Sequence, residues 1–337
     1  MPRKVRWGMI STGNVARRRF MPGVVGTTKA QVVAVGSRTP ERAQAFATDF
    51  DIPAHYGSYQ QLLDDPNVEA VYIANINDDH AEWTVRAADA GKHVLCEKPM
   101  AVDGDQALRV IEHCEKRGVL LMEGFMYRFN PRTRRIKEVI ESGLIGEVRS
   151  LVVQFSFTID PLRYSRLLPG KGAGSLMDVG CYCVNISRYY FGEEPLSVLA
   201  TQRVSEEFGC DMLTSAILEF SGGRTAMLCC SFETGYRSSV EIAGSTGTLK
   251  ALTKFVNPPD EGKIGFSVDT NDGSHHEFEV DASNQFQMEI EHFSECVLTD
   301  ARPMLDPRAD ALANARVIDA IRESARTGRR AAAACQG

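Results

Sequence analysis

Lys98 closes the apolar run His93-Val94-Leu95-Cys96, preceded by Glu97 and followed by Pro99. An ammonium at the carboxyl end of a parallel strand is well placed for chemistry, because open α/β sheets bind ligands beyond that edge. Pro99 confines Lys98 to extended backbone, which sets the direction of its side chain, and the bond between the two is a candidate for the cis form. Glu97 can pair with a cation or hold the neighbours of the lysine in place. A second cluster begins in the glycine-rich stretch Gly170-Lys171-Gly172-Ala173-Gly174 and continues through Ser175, Asp178 and Tyr182. The pattern predicts a helix with Ser175 as N-cap. Asp178 and Tyr182 are four residues apart and so share a face of that helix. A buried tyrosine is commonly a core residue with a satisfied hydroxyl, but a phenol beside a carboxylate and after three glycines is suited to carrying a proton.

A third set could hold a nucleotide. Gly8-Met9-Ile10-Ser11-Thr12-Gly13-Asn14-Val15-Ala16 lies between a predicted strand and a predicted helix, in G-x-G-x-x-A form with Ser11 at the first glycine position. A side chain at Gly13 would block the approach of a pyrophosphate to the backbone N–H groups of the helix N-terminus. The next strand ends at Val35-Gly36-Ser37-Arg38, without the acidic residue that usually holds the adenosine ribose. Ser37 can hydrogen-bond a phosphate, Arg38 can pair with it or lie against the adenine, and Arg42 stands one turn further on. This predicts NADP rather than NAD. Ala74, Asn75, Asn77 and His80 follow a later strand, where further cofactor contacts fall. Asn77 also reads as an N-cap with Asp78 and Asp79 in the first turn, and a lone His80 is equally at home as a structural residue. With Glu97 and Lys98, these complete the predicted cofactor set.

The elements that must position these residues fall into two groups. Apolar runs at Arg6–Ile10, Gln31–Val35, Ala70–Ala74, His93–Cys96 and Val119–Met122 alternate with helical patterns, the signature of parallel βαβ units. Thr39-Pro40-Glu41 marks one helix start and Gly118 one helix end. Beyond about residue 147 the pattern turns β-rich, with runs at Val148–Phe157, Ser197–Ser205, Leu213–Phe220, Thr225–Phe232 and Thr248–Phe255, and Gly222-Gly223 predicts a hairpin. A last helical pattern spans Arg308–Arg326, before an Ala-rich tail expected to fray. The expected fold is therefore α/β: a doubly wound parallel sheet in a Rossmann domain over residues 1–124, then an α+β domain over 125–337 with a large, mainly antiparallel open sheet.

Composition agrees. At 337 residues the chain suits two domains of about 100–200 residues each. A net charge of −6 gives no bulk attraction to nucleic acid, and Arg17-Arg18-Arg19 reads as a solvated helix face. No apolar stretch approaches the roughly 20 residues of a membrane helix, and no secretory leader is visible, so a cytoplasmic location is expected. The nine cysteines, among them Cys181-x-Cys183 and Cys229-Cys230, lack the spacing of a zinc site, so no metal is expected and the thiols read as reduced core residues.

Gly91-Lys92-His93-Val94-Leu95-Cys96-Glu97-Lys98-Pro99, Met122 to Pro131, and Asp178-Val179-Gly180-Cys181-Tyr182 together resemble the family of glucose-fructose oxidoreductase, inositol dehydrogenase and MocA. The likeness is greatest to its dihydrodiol dehydrogenase and xylose dehydrogenase branch. It covers nearly the whole chain. Ser11 in place of glycine, Asn75-Ile76 in place of the frequent Thr-Pro and Tyr182 in place of a histidine are departures, the last pointing towards the tyrosine-using branch. The resemblance implies reversible hydride transfer between NADP and a sugar, polyol or cyclic diol, with Lys98 and Tyr182 as catalytic residues. Tyrosine ordinarily titrates near 10, so a base near pH 7 requires roughly 4 kcal/mol of preferential phenolate stabilisation. Lys98 would contribute much of that charge, with Asp178 orienting substrate or lysine; with Tyr182 too distant, Lys98 itself becomes the acid/base. The substrate is expected between the domains, lined by Arg128, Tyr127 and Arg163, and the resemblance implies a homodimer through the antiparallel sheet. Two other readings fit the same residues: a non-catalytic NADP-binding sensor or scaffold, and an oxidoreductase that never releases its nucleotide.

Overall fold

A computed structural model describes residues 3–160 and 165–333. The chain divides into two compact units, Met1–Phe129 with Asn284–Leu312, and Asn130–Ser283 with Ala313–Gly337.

The first unit holds six strands: Val5–Ile10 (β1), Ala30–Gly36 (β2), Ala54–Tyr56 (β3), Ala70–Ile73 (β4), His93–Glu97 (β5) and Leu121–Gly124 (β6). Their order is β3-β2-β1-β4-β5-β6, and every neighbouring pair is parallel. This is the doubly wound order whose reversal lies between β1 and β4, so ligands fall beyond the carboxyl ends of those two strands. β4 is buried at every position, as expected for a strand covered by helices on both faces. The crossover helices are Met21–Val25 (α1), Pro40–Asp49 (α2), Tyr59–Leu63 (α3), His80–Asp89 (α4) and Gly104–Arg117 (α5). Thr39 caps α2 by accepting from Arg42 N, and Gly118 ends α5 in the left-handed region at φ 68°. α4 starts only at His80. Asn77, expected as its cap, lies inside a 3₁₀ turn over Asn77–Asp79 that precedes the helix.

The second unit begins with Pro131–Glu141 (α6) and is built on nine strands: Val148–Ser156 (β7), Ser197–Val204 (β8), Asp211–Glu219 (β9), Thr225–Ser231 (β10), Arg237–Gly244 (β11), Gly247–Ala251 (β12), Lys263–Thr270 (β13), His275–Asp281 (β14) and Ala331–Ala332 (β15). Their order is β14-β13-β12-β11-β7-β10-β9-β8-β15, antiparallel throughout except for β7 against β10. Gly222 and Gly223 both take positive φ in the turn between β9 and β10, as the hairpin required. Burial alternates along β9, which meets the segment Leu176–Gly180, while the buried helix that follows, Cys181–Phe191 (α7), packs on β7 and β10.

Two further sequence expectations change. Residues 284–312 cluster with the first unit rather than continuing the second, because the helix Gln285–Thr299 (α8) packs on α1 and β1. Trp7 lies 5.7 Å from both Phe20 and Phe293, Phe20 stacks on Tyr72 at 4.0 Å, and Trp7 Nε1 donates to Ser294 Oγ at 3.1 Å. Burying these aromatics is what draws the helix back. Nor does the Ala-rich tail fray throughout. After Ala313–Thr327 (α9), Ala331 pairs with Val198 and Ala333 N donates to Leu196 O, so β8 is not left as a bare edge. No helix among the described residues is long and apolar enough to cross a membrane, and none of the eight described cysteines is in a disulfide.

Candidate active site

At the end of β1 the chain turns sharply into a helix. Ser11 holds φ 116°, a region that favours glycine, and its hydroxyl repays the strain by accepting from Gly13 N at 3.1 Å. Arg17 N bonds Gly13 O at 3.0 Å, and the helix opens with a π segment over Ala16–Phe20. A β-carbon on Gly13 would sit 3.2 Å from Ser11 Oγ and 3.7 Å from Ala74 O, so the loop and the end of β4 close on each other there. Ala16 is fully buried against the sheet, whereas Asn14 is exposed and Val15 half-buried.

Ser11, Thr12, Gly13, Ser37, Arg38 and Arg42, six of the predicted cofactor residues, line one cleft of ≈ 340 Å³ together with Arg17, Ala45 and Tyr59. Thr12 Oγ1 lies 3.4 Å from Ser37 Oγ. The last three are absent from the sequence expectation. Arg17 is committed elsewhere: it pairs with Asp49 at 2.5 Å and lies over the rings of Phe46 and Phe50, so the basic run is not purely solvated. Tyr59 reaches Ser11 with its hydroxyl, and burial pushes its phenol above the ordinary range, partly offset by the Arg38 charge. Arg38 and Arg42 are exposed, and neither is in an ion pair with a described residue, although Arg38 acts on Asp79 at longer range. Two open guanidiniums and the Ser37 hydroxyl, with no carboxylate lining the cleft, suit a dianionic phosphate on an adenosine ribose.

A separate group surrounds Lys98. Its side chain is buried and its bond to Pro99 is cis. His80, 1% exposed, bonds Pro99 O through Nδ1 at 2.8 Å. Burial pushes His80 down to about 4, and the Lys98 ammonium acts in the same direction, so Nδ1 carries the proton and donates. His80 Nε2 and both polar atoms of the Asn75 side chain are buried without a hydrogen-bond partner, which is what residues awaiting a polar ligand look like. Glu97 accepts from Tyr72 Oη at 2.5 Å, and Met100 N donates to Glu123 Oε1 at 2.7 Å. Glu97 therefore braces the strand from within. Arg128 pairs with Asp310 at 3.1 Å, and Tyr127 is fully buried with its ring edge-on to Phe125. Both were expected to line a substrate, and these two contacts lie within the first unit. Arg163 lies outside the described residues.

In the second unit, a π segment over Leu176–Gly180 precedes α7. Asp178 thus lies in a wider turn than the regular helix on which the shared-face argument relied. Its carboxylate pairs with Arg166 at 3.2 Å, a partner that sequence spacing gave no reason to expect. Tyr182 is 5% exposed, and its ring packs edge-on against Phe155 at 5.6 Å. Ser175 does not act as the capping acceptor. Its hydroxyl donates to Asp211 at 2.6 Å, and Asp211 accepts from Leu176 N at 2.8 Å in its place.

Residues 5–125 match the family described as an oxidoreductase family with an NAD-binding Rossmann fold, and residues 133–250 match the GFO/IDH/MocA C-terminal domain. A D-xylose 1-dehydrogenase (NADP(+)) of Haloferax volcanii is 37% identical over 324 residues, 96% of this chain and 98% of the relative. A trans-1,2-dihydrobenzene-1,2-diol dehydrogenase of Mus musculus is 34% identical over 245 residues, 72% of this chain and 73% of the relative. Among solved structures, a 3-ketoreductase from Actinomadura kijaniata in complex with NADP and TDP-benzene superposes with a TM-score of 0.90 at 32% identity, covering 95% of this chain and 98% of that one. Solved forms of that reductase include one with a tyrosine replaced by phenylalanine and two with a lysine replaced by alanine or glutamate.

Proposed function

This chain belongs to the Gfo/Idh/MocA oxidoreductase family, and on that premise we propose that it is an NADP-dependent dehydrogenase or reductase of a sugar, polyol or cyclic diol. Its chemistry is that of an NAD(P)-dependent oxidoreductase acting on CH–OH groups. The observation that carries the NADP reading is the cleft at Arg38, Arg42 and Ser37, whose open cations face no carboxylate. Ser11, Thr12 and Gly13 would hold the pyrophosphate, while the unpartnered polar atoms of Asn75 and His80 would meet the polar groups of the nicotinamide half.

When bound, NADP would supply the two-electron acceptor or donor for the carbinol carbon. The chain must handle the proton. Tyr182 accepts the hydroxyl proton of the alcohol as the C–H bond breaks, and returns it in the reverse direction. Lys98, held by the Glu97 and Pro99 backbone, supplies the positive charge that favours phenolate and hydrogen-bonds the reacting oxygen. Asp178, steadied by Arg166, keeps the helix start in register with that work. Exposed Leu199, Ile217 and Met227 lie side by side across β8, β9 and β10, and we assign that open sheet face to a homodimer.

A panel of aldoses, inositols, cyclic diols and sugar nucleotides assayed with NADP and with NAD tests the reading. Turnover is expected with NADP on at least one class. Lys98→Met and Tyr182→Phe are each expected to lower kcat by about 10²–10⁴-fold on that substrate; full turnover in both variants would end the catalytic assignment.

A further inference from the structure

We propose that Asp211 is a positioning residue that latches the helix bearing Asp178 and Tyr182 to the sheet, an inference that rests on the proposed role of Tyr182. Asp211 begins β9, and one of its carboxylate oxygens, Oδ2, gathers three donors: Ser175 Oγ at 2.6 Å, Leu176 N at 2.8 Å and Thr214 Oγ1 at 2.9 Å. Gln202 Nε2 in turn donates to Thr214 Oγ1 at 3.0 Å, so the latch is tied across β8 and β9. Asp211 is 8% exposed and Ser175 is fully buried, which makes these charge-assisted bonds strong and costly to leave half-made.

The latch also closes on the glycine before the helix. Gly174 adopts φ 99°, and a β-carbon there would stand 2.2 Å from Asp211 Oδ1. Gly174 N bonds Arg166 O at 3.0 Å, Asp178 N bonds Gly174 O at 3.2 Å, and Arg166 pairs with the Asp178 carboxylate. The start of the helix is thus clamped from two sides, by Asp211 at Ser175–Leu176 and by Arg166 at Gly174 and Asp178. On the helix side Asp211 bonds Ser175 and Leu176 and lies close to Gly174, and Tyr182 follows within two turns on the same buried helix. Loss of the latch lets the helix slide along its axis and carries the phenol with it.

The test compares wild type with Asp211→Asn, which keeps the size and loses the charge. NADPH binding, followed by nucleotide fluorescence, is expected to stay within twofold. On the best substrate of the panel kcat is expected to fall at least tenfold with KM changed less than threefold, and the limb of the kcat–pH profile set by the phenol is expected to move. In a Tyr182→Phe background the same substitution is expected to cost almost nothing further. The proposal is overturned if Asp211→Asn lowers only Tm and leaves kcat and the pH limb unchanged, or if its cost is the same with and without the phenol. Should Asp211→Asn fail to fold, Ser175→Ala and Thr214→Val, each removing one of the three bonds, are read by the same criteria. Full turnover in Tyr182→Phe alone would strike the functional reading and the latch with it, whereas an impaired Tyr182→Phe beside an unaffected Asp211→Asn strikes only the latch.

Discussion

His80 shows how much one buried side chain can set. Its Nδ1 proton is spent on Pro99 O, and burial holds it neutral down to about pH 4 against an ordinary value of 6.5. The unfolded chain takes up a proton below 6.5 and the folded chain does not, so stability falls as pH drops from about 6.5 towards 4 and is unaffected above that window. The full effect is roughly 3 kcal/mol. His80→Gln, which keeps a donor for Pro99, is expected to show a shallower loss of Tm between pH 7 and 4.5 than wild type. Parallel Tm–pH curves for the two proteins would refute the account. Much of this residue-scale picture was legible in the chain. Ser37, Arg38 and Arg42 were expected from type and spacing, and they line the cleft. Arg17 and Tyr59 were not, because neither lies in the glycine loop or at a strand end and only packing brings them there.

At the scale of elements, the return of α8 to the first unit depends on a close helix approach. Gly23 lies on α1 where a β-carbon would stand 3.0 Å from Gln287 N and 3.2 Å from Ile290 Cδ1. The nearer atom belongs to the α8 backbone and cannot swing aside. Gly23→Val is therefore expected to cost about 1–3 kcal/mol by forcing the helices apart, read as a drop in Tm with retained secondary structure. An unchanged Tm would mean that the helices do not pack so tightly. The same helix carries Glu289, fully buried with both oxygens unpartnered, and burial pushes its carboxyl well above the usual range. Nothing in the local pattern of α8 announced either feature, since its periodicity shows an apolar stripe and not the sheet that stripe will cover.

For the whole molecule, the open face of the nine-stranded sheet raises the question of what covers it. Leu199 stands opposite Ile217, and Ile217 opposite Met227, all of them more than two-fifths exposed. Elsewhere the sheet limits its own association: the edge strand β14 carries Glu277, Glu279 and Asp281, charges that discourage pairing with another chain. Light scattering after gel filtration is expected to give a dimer for the wild type and a monomer for Ile217→Lys with Met227→Glu. A wild-type monomer at micromolar concentration would refute the sheet-face assignment.

The sequence by itself determined the parallel βαβ half, the glycine turn, the lysine at the strand end, the hairpin at Gly222-Gly223 and the family, because each rests on local periodicity, turn chemistry or a contiguous motif. Only the tertiary structure decided that residues 284–312 belong with the first unit, that Asp211 rather than Ser175 caps the helix start, that Asp178 pairs with Arg166, and that the Ala-rich tail adds a strand. In each of these cases the partners come from separate elements, and which of many possible donors or apolar faces a residue meets is settled by how the cores pack, a property no short window of the chain contains.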